Sequence, residues 1–149
     1  MIKEKYLGTY LKTAKLFAEH SSAVRKKVGA VIVKDDRIIS IGYNGMPTGW
    51  DNTCEYEEVL EKKDWLEKTG RLITKPEVLH AESNAIAKLA KSSESGDGAS
   101  MFITCAPCID CAKMIYQAGI KEVFYGEKYR DDKGIEFLNK CNISVKQLT

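Results

Sequence analysis

The sequence predicts an α/β protein, a three-layer α/β/α sandwich built on a five-stranded mixed sheet. Two observations carry this expectation. Short apolar strands alternate with helical patterns along the second half of the chain, which implies parallel strands joined by helical crossovers. Earlier, the β-branched runs 28–33 and 37–42 are separated by a short polar turn and read as an antiparallel hairpin. With 149 residues, the chain is expected to form one domain, 1–149.

Taken in order, Leu7, Tyr10, Leu11, Ala14, Phe17 and Ala18 recur at helical spacing while Lys3, Lys5, Lys12 and Lys15 fall off that face. The first element is therefore an amphipathic helix. The 28–33 run is apolar without alternation, as expected of a strand covered on both faces, and Lys34-Asp35-Asp36 turns the chain into 37–42. From 46 to 79 the pattern loosens: Pro47, Gly49 and Gly70 mark turns, and Val59, Leu60, Trp65 and Leu66 suggest one helix over 56–68. Ala81, Ala85, Ile86 and Leu89 restore helical spacing, so His80 opens a helix that ends before the loop 92–98. A strand over 101–104 follows. Pro107 suits the first turn of a helix closing near Gly119, which puts Cys108 and Cys111 on that first turn. A strand at 122–126, a helix at 134–140 and a strand at 143–145 complete the order α-β-β-α-β-α-β-α-β.

Charge and composition exclude several function classes. The net charge of +2, from 23 basic and 21 acidic residues, is too weak for a protein that coats a nucleic acid polymer, so any nucleotide partner should be small. The apolar runs are far too short to cross a bilayer, and the charged start Met1-Ile2-Lys3-Glu4-Lys5 is not followed by the apolar region of a signal peptide, so a cytoplasmic protein is expected. Five cysteines, three of them in Cys105-x-x-Cys108-x-x-Cys111, favour metal binding over a disulfide framework.

The candidate chemistry lies in His80-Ala81-Glu82 and, after 24 further residues, Pro107-Cys108-Ile109-Asp110-Cys111. Imidazole and thiolate suit Zn²⁺, and His80, Cys108 and Cys111 make three ligands, leaving a fourth position for water. Bound zinc lowers the pKa of that water from about 15.7 towards 7. Glu82, not needed as a ligand, can then carry the proton. Cysteines three apart at a helix N-terminus reach one ion, and the positive end of the helix favours their thiolates. Cys105 leaves two readings open: a fourth ligand closing a structural Cys₃His site, or a small buried thiol at a strand end.

His-x-Glu followed by Pro-Cys-x-x-Cys is the signature of zinc-dependent nucleobase deaminases. Together with Gly42-Tyr43-Asn44-Gly45-Met46-Pro47, His80-Ala81-Glu82-Ser83-Asn84-Ala85-Ile86 and the run from Cys111-Ala112-Lys113 to Gln117-Ala118-Gly119-Ile120-Lys121-Glu122-Val123, it resembles the cytidine/deoxycytidylate deaminase family, in particular its dCMP deaminases. The resemblance covers nearly the whole chain. It implies a cytidine deaminase-like fold, one catalytic zinc per subunit held by His80, Cys108 and Cys111, and Glu82 as proton shuttle in converting dCMP to dUMP and ammonia for dTMP synthesis. It also implies a homo-oligomer, often a hexamer, activated by dCTP and inhibited by dTTP with Mg²⁺, with Gly42, Tyr43, Asn44 and Gly45 in the stretch that receives the effector.

The same resemblance assigns Asn44 to the sugar hydroxyl and Arg25 to the phosphate, although Arg25-Lys26-Lys27 reads equally as a solvated approach to a strand. Tyr129 either borders the base or is a surface tyrosine, and Ala81 and Ala106 are further candidate contacts through their backbone. Two other readings stay open on sequence: a deaminase of a free nucleoside or base, and a zinc-stabilised nucleotide-binding module without chemistry.

Overall fold

The computed structural model describes residues 2–149. The chain runs α1 (Glu4–Ala18), β1 (Gly29–Lys34), β2 (Arg37–Tyr43), β3 (Glu55–Lys62), β4 (Trp65–Thr74), α2 (Ala81–Ala90), β5 (Ser100–Cys105), α3 (Ile109–Gln117), β6 (Glu122–Glu127), α4 (Lys133–Lys140) and β7 (Ser144–Gln147). The main sheet has five strands in the order β2-β1-β5-β6-β7, the β1 pairings being antiparallel and β5-β6-β7 parallel. The expected mixed sheet is present.

Alternation along the central strands divides the core into two layers. Ala30, Ile32, Met101, Ile103 and Val123 pack with Ala81 and Ala85 of α2, Ala112 and Ile115 of α3 and Leu138 of α4. Val31, Val33, Phe102 and Phe124 point the other way and pack with Leu11 and Ala14 of α1. Burial on both faces explains the unbroken apolar character of β1 and β5. Phe102 and Phe124, paired in register on neighbouring strands, stack with centroids 4.7 Å apart, an offset contact that adds to their burial. The β1–β2 turn is formed by Asp35 and Asp36, both at positive φ, the backbone that matches the twist of a two-residue hairpin.

Residues 56–68 are not a helix. They belong to a separate two-stranded antiparallel sheet, β3–β4, whose chain reverses at Lys63-Asp64. Val59, Leu60, Trp65 and Leu66 are all exposed, so their spacing carries no information about a buried helical face. Pairing across the ribbon instead joins Tyr56 to Ile73, Val59 to Lys68 and Lys62 to Trp65. Nor does Gly70 end an element. It lies inside β4 at φ +75°, close to the register shift after Glu57, and its amide donates to the Glu57 carboxylate.

One end of the sheet collects the candidate residues. Gly29 at the start of β1 pairs with Tyr43 at the end of β2, and Cys105 at the end of β5 pairs with Glu127 at the end of β6. The loops beyond these residues therefore converge outside the carboxyl ends of the parallel strands, the usual place for a ligand in an open α/β sheet.

Candidate active site

Three potential ligands meet there. His80 Nδ1, Cys108 Sγ and Cys111 Sγ all lie within 4.8 Å of one another. His80 is the residue immediately before α2, and its side chain makes no capping bond, which leaves the ring free to reach across to α3. Cys108 holds the equivalent position before α3, where its sulfur accepts the amide of Cys111 at 3.5 Å. The helix thus begins at Ile109, and Pro107 precedes the cap instead of occupying the first turn, because Cys108 itself uses the extended capping conformation.

The spacing suits zinc. Bonds of about 2.3 Å to sulfur and about 2.0 Å to nitrogen at tetrahedral angles require N···S separations of about 3.6 Å. His80 Nδ1 lies 3.3 Å from Cys111 Sγ and 3.7 Å from Cys108 Sγ. Cys105 is not part of the group: it ends β5, is 4% exposed, and turns its sulfur towards the carbonyl of Lys128 at 3.9 Å. Burial pushes its thiol up, as for an inert buried cysteine.

Electrostatics favour a cation at this point. Taken as side chains alone, the two ligand thiols share one proton. Cys108 is held as the thiolate, its pKa lowered to about 4 by the hydrogen bond from Cys111 and by His80. Cys111 is pushed up because it donates that bond and is buried beside Glu82. His80 is raised chiefly by its contact with the Cys108 thiolate. Glu82, on the first turn of α2 and 4% exposed, has its carboxyl raised by burial. A divalent ion would relieve this crowding of negative charge and let both sulfurs ionise.

Around the triad lies a cleft of about 680 Å³. It brings together Arg25, Asn44, Ala81, Glu82, Ala106 and Tyr129 with His80 and Cys108, while Cys111 lies buried behind the cleft lining, so most of the scattered sequence candidates share one cleft. Asn44 accepts the Val28 amide on Oδ1 and donates Nδ2 to the Lys26 carbonyl, both at 2.8 Å, which fixes its amide at the cleft margin. Arg25 is exposed and donates Nη1 to Thr74 Oγ1 at 3.1 Å. Tyr129 is half-buried beneath the Arg130 guanidinium, 5.3 Å from its ring centre.

Gly42, Tyr43 and Gly45 are not among the cleft residues. Gly42 has a packing reason for being glycine, since a Cβ there would strike the Ala81 carbonyl and come within 2.7 Å of the Ala85 amide. Glu55, Thr74, Lys75, Lys128 and Lys133 also line the cleft and carry no signal in the sequence, because β3, β4 and the approach to α4 reach the site only through the fold.

Residues 4–127 match the model of the cytidine and deoxycytidylate deaminase zinc-binding region. The chain belongs to the cytidine and deoxycytidylate deaminase family. Among solved members, it is similar to the dCMP deaminase of cyanophage S-TIM5 in complex with dCMP and dUMP, with a TM-score of 0.85, 44% identity, and 99% of this chain and 100% of that one covered. It is 36% identical to the deoxycytidylate deaminase of phage T4, covering 85% of this chain and 80% of the relative. With the human deoxycytidylate deaminase it shares 43% identity over 82% of this chain and 65% of the human protein. A deaminase fold and a zinc-binding region are thus shared across the family match.

Proposed function

We propose that this protein is a zinc-dependent hydrolase that deaminates dCMP to dUMP and ammonia. The observation that carries the reading is the His80–Cys108–Cys111 cluster opening, through His80 and Cys108, onto a cleft that the buried Glu82 and the guanidinium-bearing Arg25 also line. The similarity to an S-TIM5 enzyme crystallised with dCMP and dUMP supports dCMP as the substrate.

His80, Cys108 and Cys111 hold the zinc, which when bound supplies Lewis acidity that makes water nucleophilic at neutral pH. Glu82 takes a proton from the attacking water and delivers it to ring N3, then takes the hydroxyl proton of the tetrahedral centre and delivers it to the departing amine, so that the C–N bond breaks, ammonia leaves and the carbonyl forms. Its burial suits this work, because a carboxyl removed from water is more basic than an exposed one and transfers protons over short distances. Ala106 donates its own amide to Glu127, so its carbonyl is the atom available to accept from the exocyclic amine. Ala81, the first residue of α2, presents an amide without an intrahelical partner towards the base. Asn44 meets the sugar hydroxyl, Tyr129 borders the base, and Arg25 binds the phosphate.

Regulation by dCTP and dTTP with Mg²⁺, assembly as a homo-oligomer with a hexamer favoured, and a cytoplasmic location extend the same reading. One contact supports regulation through 42–45: Gly45 and Leu79 exchange both backbone hydrogen bonds, at 3.1 and 2.8 Å. A shift of that loop would reach Leu79, the neighbour of His80. Comparison of dCMP, deoxycytidine, cytosine and guanine as substrates of the zinc-loaded protein, with and without dCTP or dTTP, tests both parts. Ammonia should be released selectively from dCMP. Equal turnover of deoxycytidine would replace dCMP by the nucleoside, and retention of all four substrates with zinc bound would make the protein a binding module.

A further inference from the structure

We propose that Glu55 is a positioning residue for substrate binding, holding Arg25 in place at the phosphate from the foot of the β3–β4 hairpin. The inference rests on the reading of Arg25 given above. Only two acidic residues are buried among the described residues, Glu55 at 7% exposure and Glu82 at 4%, and both line the same cleft. Glu82 has its chemistry to do. Glu55 is buried for a different purpose.

Its carboxylate oxygen Oε2 accepts the consecutive backbone amides of Val24 and Arg25, each at 2.8 Å. A buried carboxylate needs such charge-assisted partners, and successive N–H groups form a natural cradle for an anion. The segment between α1 and β1 has no regular structure of its own, so this cradle decides where the Arg25 backbone sits. The other end of the residue is held by the same rung of the hairpin: Thr74, the register partner of Glu55, accepts from the Arg25 guanidinium at 3.1 Å. Neighbouring contacts keep the rung fixed. Cys54 is fully buried with Ala23 and Val78, and its sulfur lies 3.4 Å from Ser22 Oγ.

Because Glu55 binds the backbone and Thr74 takes one donor, the remaining guanidinium N–H groups are free for a planar, bidentate grip on phosphate. Glu55 therefore acts on affinity for the phosphorylated substrate and not on the deamination step.

The test compares dCMP with deoxycytidine in Glu55→Gln, Thr74→Val, Arg25→Gln and the Arg25→Gln/Glu55→Gln double variant, with thermal unfolding recorded for each. Glu55→Gln should raise KM for dCMP on the order of tenfold and Thr74→Val about threefold, with kcat within about twofold. Turnover of deoxycytidine should be unchanged, and the double variant should be no worse than Arg25→Gln alone, because both act through one side chain. A loss shared equally by the two substrates, or a full additional loss in the double variant, would overturn the role of Glu55. If Arg25→Gln itself leaves KM for dCMP unchanged, the phosphate assignment fails and this proposal with it, a result distinct from a selective Arg25 effect without a Glu55 effect. Should Glu55→Gln not fold, Thr74→Val decides: a selective rise in KM supports the rung, and no change refutes it.

Discussion

His80 and Cys108 occupy the same position in two different helices, each the residue just before the first helical turn, and their Nδ1 and Sγ atoms lie 3.7 Å apart. Two helix N-termini therefore face one point, where their dipoles oppose each other unless a negative group or a liganded ion lies between them. Thiolates from α3 satisfy that requirement, and a cation in turn satisfies the thiolates.

Zinc binding should therefore contribute to folding as well as chemistry. Removal with a chelator should lower the midpoint of thermal unfolding by about 5 to 10 °C for metal held at a hundredfold above its dissociation constant. Ammonia release from dCMP should cease at the same time and return when zinc is restored. Unfolding midpoints indifferent to the chelator would remove the structural part of this expectation.

Glu82→Gln should separate the metal from the proton. The amide is nearly isosteric and Glu82 is not one of the three clustered ligands, so zinc content should be retained. Turnover should fall by about 10² to 10⁴, the range for losing a positioned general acid-base group. Metal analysis alongside an ammonia assay measures both, and a variant with normal turnover would end the role given to Glu82.

Two glycines should respond to alanine with opposite sign. Gly134 in α4 is packed so closely that a Cβ would collide with the Pro107 carbonyl and lie 3.0 Å from the Cys108 carbonyl carbon, so Gly134→Ala should destabilise by about 1 to 3 kcal/mol and disturb the ligand loop. Gly8 lies within α1 with nothing within 4 Å of its virtual Cβ, so Gly8→Ala should stabilise by about 0.4 to 1 kcal/mol. Denaturant unfolding of the two variants gives both signs in one experiment.

The Lys26–Glu127 pair should give a small, pH-limited contribution. Its atoms are 2.8 Å apart, and the hydrogen bond lowers the Glu127 carboxyl while raising the Lys26 ammonium. The Glu127 part is present above its ordinary value of 4.5 and is lost as pH falls through the lowered folded value. The Lys26 part is present below 10.5 and is lost as pH rises through the raised one. Both side chains are well exposed, so Glu127→Gln should cost less than about 1 kcal/mol at pH 7. The difference from the parent chain should vanish in strong acid and shrink in high salt; a difference that persists under either condition would locate the effect elsewhere.

Legibility in the sequence followed burial. The strands β1, β5 and β6 and the helices α1 to α4 bury a face or both faces, so periodicity and apolar runs showed them to within a few residues. The β3–β4 ribbon buries little, and Lys63-Asp64 lacks the Asn-Gly or Asp-Gly signal of a tight hairpin, so exposed Val59, Leu60, Trp65 and Leu66 imitated a helix. The triad was legible for a chemical reason: few residue types ligate zinc, and their spacing is constrained by helix geometry.

What the chain alone determined is the set of groups on offer, since a histidine, two cysteines three apart and one spare carboxylate suit a metal and a proton carrier wherever they are brought together. Tertiary structure decided which sulfur stays out of the metal group, turning Cys105 towards Lys128 at the end of β5, and which residues 30 or more positions apart become neighbours. The contact between Glu55 and Arg25 is of that second kind. It depends on where an exposed ribbon meets an irregular loop, and neither local propensity nor hydrophobic patterning encodes such a meeting.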